Sequence, residues 1–360
     1  MSPGQNAETK LRVSIVIPSY NSATWLPSTL ASLVKSLSMT EWSAEIIIVD
    51  DGSTDETSAT LSVLEASLLP YPLRIVTQDN KGRFFARWEG IQAARYDLVL
   101  IMDSRLLVDE SSLQHLDASL KAGVTDRVWN GHVATDRAAP LVGRFWEVPT
   151  YTFWGSYLKR PQVTMITLEN FDRVPKGTGF LFLEKDLFAR ACLEAWPVEN
   201  AHLTSDDTKL LRFIAAQTPI RLDPDFSAIY RPRTTIKQFL AHSWSRGTLF
   251  VDSYAGTGRV RNFVLVALSI LPPLALVLIV ALFAMASWTA AWLILGVGAV
   301  GLLIPLLIAA SRGCPKKAQL SYLTFVLPFG VTFWAGLTRG IFVHRRSFRN
   351  STRHIETANL

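Results

Sequence analysis

Four short apolar runs recur in the first hundred residues, at 13–18, 45–49, 73–76 and 97–102, each closed by turn or acidic residues. Val, Ile and Leu follow one another in them without polar alternation, which predicts strands buried on both faces of a parallel sheet. Between them lie helix-length stretches at 22–38, 53–67 and 84–94, the second opened by the capping candidates Ser53, Thr54 and Asp55. This β-α-β-α order predicts an α/β domain with ligands at the carboxyl ends of its strands.

From 124 to 233 the pattern turns irregular and rich in Trp, Pro and Gly, with helices expected at 185–194 and 206–216. That composition suits an acceptor-binding half built from loops. Residues 235–254 then carry Ile236, Phe239, Leu240 and Trp244 near i, i+3, i+4 and i+8, with Lys237, His242 and Arg246 between them. The spacing predicts an amphipathic helix lying at a membrane surface.

Beyond it, no Asp, Glu, Lys or Arg occurs from Asn262 to Ala310, a run of 49 residues. Segments 262–286 and 289–310 are each long enough to span a bilayer core, at 1.5 Å per helical residue. Arg259 and Arg261 before this hairpin, and Arg312, Lys316 and Lys317 after it, predict that both its ends face the cytosol. A third apolar segment, 318–343, is interrupted by Pro328 and Gly330 and reads as a third span or as a re-entrant hairpin.

Charge follows the same division. Eight of the 36 Lys/Arg but only one of the 30 acids lie beyond Ala310, leaving 28 bases against 29 acids before it. The basic excess therefore flanks apolar segments, where it meets anionic lipid, and a nucleic-acid partner is excluded on that ground. Cys192 and Cys314 have no spacing that would hold zinc and read as unpaired thiols in a reducing compartment. The first twelve residues are polar and lack the apolar core of a secretory signal, so the N-terminal portion is expected to stay cytosolic.

The chemistry sits at the strand ends. The first run closes in Pro18-Ser19-Tyr20-Asn21 and the second in Asp50-Asp51-Gly52-Ser53-Thr54-Asp55. An acidic pair after a buried strand costs solvation unless something binds there, although a helix cap would also use these residues. The third run is followed by Asn80-Lys81-Gly82-Arg83-Phe84-Phe85-Ala86-Arg87-Trp88-Glu89-Gly90, and the fourth by Asp103-Ser104-Arg105.

In this order and spacing the motifs resemble those of the family 2 glycosyltransferases over roughly residues 11–250. The resemblance implies an α/β GT-A fold with a mainly parallel sheet, followed by C-terminal transmembrane helices. It implies that Pro18 and Tyr20 line a base pocket, that Asp51 contacts base or ribose, and that Lys81, Gly82 and Arg87 lie beside the nucleotide. Asp103 matches the first acid of the metal-binding loop. Arg105 stands where the second would be, so either Asp103 holds Mg2+ or Mn2+, or Arg105 itself meets the diphosphate with its bidentate fork. A degenerate, inactive site is the third reading.

Further on, Lys176-Gly177-Thr178-Gly179-Phe180 resembles the loop that family members place under the donor sugar, with Gly177 and Gly179 allowing close backbone approach. Ser205-Asp206-Asp207-Thr208 resembles the family's acidic motif at a helix start, which makes Asp207 the expected general base and Asp206 its orienting neighbour. Arg246, in His242-Ser-Trp-Ser-Arg-Gly247, is a candidate diphosphate contact, with snorkelling to lipid phosphate as the other reading.

The organisation expected is a disordered 1–10; a GT-A domain at 11–234, divided into a nucleotide half (11–123) and an acceptor half (124–234); an interfacial helix at 235–258; a membrane region at 262–343; and a basic tail at 344–360. The activity implied is inverting transfer from a nucleoside-diphosphate sugar to a lipid-linked or polysaccharide acceptor. The chain would be integral to a bacterial plasma membrane, as in exopolysaccharide transferases of the succinoglycan type, with its catalytic domain cytosolic and lipids as partners. Nucleotidyl transfer to a sugar phosphate and a non-catalytic nucleotide-sugar-binding subunit are the alternatives.

Overall fold

β1 (Arg12–Ser19), β2 (Ser43–Asp51), β3 (Leu73–Gln78) and β4 (Leu98–Met102) run parallel in the order β3-β2-β1-β4, with Val16 opposite Ile47 and Ser19 opposite Asp50. The computed structural model describes residues 10–65, 71–197, 203–204 and 207–348. Connections run through α1 (Leu26–Leu37), α2 (Thr57–Glu65) and α3 (Arg83–Ala93). Alternate β1 residues serve opposite faces. Ile15 and Ile17 join Leu26, Leu30, Leu33 and Leu37 of α1 in one core, while Gly90 of α3 lies on Val16 and Val49. β3 departs from the expectation of burial on both faces: it is the edge strand and stays half-exposed.

Beyond β4, through the irregular stretch at 124–233, the chain holds more regular structure than its composition predicts. β5 (Leu106–Val108), α4 (Ser112–Lys121), β6 (Trp129–Thr135), α5 (Glu147–Lys159), β7 (Thr164–Ile166), β8 (Phe180–Glu184), α6 (Lys185–Glu194), α7 (Thr208–Gln217) and β9 (Ile220–Tyr230) follow in order. β8 is antiparallel to both β4 and β6, and β9 pairs with β5, β6 and β7, so the sheet is mixed beyond β4.

The chain divides into two compact units. The first comprises Met1–Asp136, Gln162–His202 and Asp206–Arg231, the sheet and its helices. The second comprises Arg137–Pro161, Leu203–Ser205 and Pro232–Leu360, and so includes α5. Its other helices are α8 (Ile236–Tyr254), α9 (Arg259–Ala284), α10 (Trp288–Ser311) and α11 (Lys316–Val343). The last three are long and apolar enough to cross a membrane. α11 runs unbroken through Pro328 and Gly330, so the chain does not turn back there.

α8 buries only part of the apolar face in the sequence: Phe239 is buried with Leu240 beside it, and the buried line continues through Ser243, Gly247 and Val251, while Ile236 and Trp244 are exposed. Gly247 lies against the backbone of α11, where a Cβ would stand 2.2 Å from the Phe333 carbonyl oxygen, and a Cβ on Gly336 would stand 2.0 Å from that of Trp244. Small residues bring two helix backbones together here, as between helices in a membrane.

Candidate active site

β2 delivers Asp51 to the carboxyl edge of the sheet, where it is 3 % exposed. Its carboxylate accepts from Gln78 Nε2 at 2.6 Å, Lys81 N at 2.8 Å and Gly82 N at 2.9 Å. Both oxygens thus hold the loop that starts α3, an engagement the motif alone does not reveal. Beside this loop an open hollow of about 610 Å3 is lined by Gly52, Val76, Gln78, Lys81 and Glu89 among others. The loop after β1 is tied to the one after β2: Asn21 N donates to Ser53 Oγ at 2.9 Å, and Thr54 N to Asn21 Oδ1 at 2.8 Å. Pro18 pairs with Val49 inside the ladder, and Tyr20 is 46 % exposed.

α3 carries Arg87, whose side chain is 1 % exposed. Its Nη2 donates to Asp103 Oδ1 at 2.8 Å, and its Nη1 stands 4.0 Å from Asp207 Oδ1. One buried guanidinium therefore gathers two carboxylates from residues 104 positions apart. Asp103 is held again by the loop before β8: its N donates to Gly179 O at 2.8 Å, and a Cβ on Gly179 would lie 2.9 Å from its Oδ2. Asp207 precedes α7 but does not cap it with its side chain. Its carboxylate instead accepts from Thr178 N at 3.0 Å and from Thr178 Oγ1. The neighbouring Gly177 is fixed by Asn130, whose Nδ2 donates to its carbonyl at 2.6 Å.

Asp51, Asp103 and Asp207 are thus linked through α3 and the loop before it. Thr178 and Asn130 complete the arrangement. Thr178 sits inside a motif already singled out, whereas Asn130 carries no local signal and is brought in by the pairing of β6 with β8. Asp206 lies outside the described residues. Arg246 stands on α8 in the second unit, its Nε donating to His242 Nε2 at 3.4 Å. Arg105 lies over Trp25, 4.9 Å from the ring centroid.

Residues 14–180 match the family model for glycosyl transferase family 2. The chain carries a family 2 glycosyltransferase domain. An undecaprenyl-phosphate 4-deoxy-4-formamido-L-arabinose transferase of Proteus mirabilis (strain HI4320) is 32% identical over 112 residues, 31% of this chain and 34% of that protein. The enzyme of that name from Enterobacter sp. (strain 638) is 27% identical over 208 residues, 55% of this chain and 62% of that protein. Several of the curated relatives are matched over only about a third of their own length. A mannosyltransferase from Pyrobaculum calidifontis, solved with GDP-mannose and Mn2+, superposes with a TM-score of 0.51 at 16% identity, covering 98% of this chain and 92% of its own. The family 2 domain here shares that fold.

The donor set around Asp103 tests whether the domain suits a divalent cation. Asp103 belongs to no group of three metal-ligating side chains among the described residues. Its Oδ1 is taken by Arg87, and Oδ2 faces Gly179. One carboxylate fits a cation that takes most of its ligands from a diphosphate and water, as Mg2+ commonly does, and does not fit an all-protein cage.

Proposed function

We propose that the chain is an inverting glycosyltransferase moving a sugar from a nucleoside diphosphate to a lipid-linked or polysaccharide acceptor at the cytosolic face of a bacterial plasma membrane. The observation that carries this reading is the meeting of Asp103 and Asp207 on Arg87, within a domain of family 2. The names of the relatives favour a lipid carrier as acceptor, and three apolar helices would keep the domain beside such lipids. The hollow beside Gly52 and Lys81 is the proposed seat of the nucleoside, with Tyr20 and Pro18 along its approach.

In the proposed reaction an acceptor oxygen attacks the anomeric carbon as the bond to the diphosphate breaks on the opposite side. The electron pair leaves with the nucleoside diphosphate, and Asp207 takes the proton of a hydroxyl acceptor. Thr178 orients that carboxylate, and the buried Arg87 guanidinium, bonded to Asp103 and 4.0 Å from Asp207, fixes the two side chains relative to one another. A divalent cation would neutralise charge on the leaving diphosphate, with Asp103 Oδ2 as its protein ligand. Gly179 lets the loop pass close to the Asp103 carboxylate.

The test is incubation of membranes containing the full chain with labelled UDP-, GDP- and dTDP-sugars, with and without EDTA. Label moving into the lipid extract supports the reading, and its inverted anomeric configuration supports the single displacement. Pyrophosphate-dependent exchange without sugar transfer would favour nucleotidyl transfer instead.

A further inference from the structure

Arg105 occupies the place of the second acid in the family pattern, and the fold sets a second arginine directly against it. β5 and β9 are antiparallel with Leu106 opposite Tyr230; one step beyond, Arg231 N donates to Arg105 O at 3.1 Å. Like charges opposed across a ladder are destabilising. Both guanidiniums nevertheless lie on one indole, 4.9 and 5.1 Å from the Trp25 ring centroid.

Arg231 is 9 % exposed, and every acceptor it uses is neutral. Its Nε donates to Arg105 O at 3.2 Å and its Nη2 to Trp25 O at 3.1 Å; Thr29 Oγ1 and Ser28 Oγ take two more bonds. Four of its five N–H groups are thus spent on placing it. Among the described residues Arg105 spends none of its own on the protein, and its Nη1 is buried without a partner. Among the described residues neither guanidinium has a carboxylate in an ion pair. Burial and the charge of Arg105 lower the Arg231 pKa, with the Asp136 carboxylate acting against them.

Two adjacent cations with no carboxylate in an ion pair are costly to bury, and a fork of N–H donors matches the oxygens of a phosphate. Stacking on Trp25 orients the pair but does not neutralise it. We propose that Arg105 and Arg231 form a binding site for a phosphate group, either the donor's diphosphate or the phosphate of the acceptor lipid. Arg105 makes the contact, and Arg231 positions it while offering its one remaining N–H. This assignment rests on the glycosyltransferase reading, which supplies both phosphates.

The experiment uses the full chain in detergent micelles, unaltered and as Arg105→Gln and Arg231→Lys, with calorimetric binding and melting temperatures measured for each. UDP and GDP, each against its nucleoside, form the donor arm; undecaprenyl phosphate against the free polyprenol forms the acceptor arm. Arg105→Gln is expected to weaken the phosphate-bearing probe of one arm by about tenfold or more, leaving the phosphate-free partner within about twofold. Arg231→Lys, which keeps the charge and loses the fork, is expected to weaken the same probe less. Equal affinity of Arg105→Gln and the unaltered chain for both phosphate probes overturns the assignment, as does equal weakening of a nucleoside or polyprenol. An unaltered chain that binds neither nucleoside diphosphate nor polyprenyl phosphate overturns the glycosyltransferase reading itself, and this one with it.

Discussion

The Asp207 carboxylate turns away from the helix it precedes and accepts the Thr178 N–H at 3.0 Å. A carboxylate serving only as a cap would bond the first-turn amides of α7. Its orientation toward the loop between the two glycines instead leaves it beside Arg87. Asp207→Asn keeps the shape and removes the base, so transfer to a hydroxyl acceptor is expected to fall by about 10² to 10⁴ while nucleotide affinity stays within about twofold. A lipid phosphate arrives ionised and needs no deprotonation. Comparing the rate loss on the two acceptors therefore identifies the natural one, and an unchanged rate on both removes Asp207 from the mechanism.

Arg87 joins Asp103 at 2.8 Å from a position almost without solvent. Arg87→Met leaves that carboxylate unpaired, and an unfolding free energy lower by about 3 kcal/mol is expected, the low end for a broken buried pair because Asp103 is partly exposed. Arg87→Lys retains the charge but cannot reach both carboxylates with a fork, so activity should fall at least about tenfold with a smaller loss of stability. Chemical denaturation of both variants beside initial rates checks the ordering.

The two glycines of the 177–179 loop make a paired test. A Cβ at 179 meets Asp103 Oδ2 at 2.9 Å, whereas at 177 the nearest atom stands 3.9 Å away. Gly179→Ala is expected to displace Asp103 and lower the rate about tenfold or more, with Gly177→Ala close to the unaltered chain. Similar rates for the two variants would show that this close approach carries no functional weight.

A single carboxylate predicts that Mn2+ binds only once a diphosphate is present. Paramagnetic resonance titration should show little bound Mn2+ without nucleotide, a bound signal with UDP or GDP, and its loss in Asp103→Asn. Tight binding to the nucleotide-free chain would mean that other side chains hold the ion.

Lys176, next to Gly177, has its ammonium pushed down to about 8, chiefly by burial, with Asp172 opposing and Arg212 adding to the shift. Between about pH 8 and the ordinary value of 10.5 the unfolded chain binds the extra proton, so this residue makes stability rise with pH across that window. The melting temperature of the unaltered chain, minus that of Lys176→Met, should grow from pH 8 to pH 10. A flat or falling difference contradicts this.

The parallel half of the sheet was legible because strands buried on both faces have no polar alternation to obscure them, as in Val13 to Ile17 and Ile46 to Val49. β3 misled because a Leu-Arg-Ile-Val run reads the same at an edge. β9 was missed for a local reason: Pro224 argues against a strand, yet it lies where the β6–β9 register jumps from Gly131 opposite Asp223 to His132 opposite Ser227. Motif order named Asp103 and Asp207, but their sharing of Arg87 depends on packing between distant segments. The opposition of Arg105 and Arg231 depends likewise on β5, three residues long and too short to announce itself.

The close approach of Gly247 and Gly336 also bears on biogenesis. α8 is synthesised some sixty residues before α11 begins, so the side of it that meets Gly336 has no cover until α11 is made. Docking of these two backbones must wait for α11 to be made and, in the membrane-bound chain proposed above, to enter the bilayer. The membrane unit is thereby closed by an event late in translation, and a bulky side chain at 336 would be felt as failed assembly rather than as failed insertion.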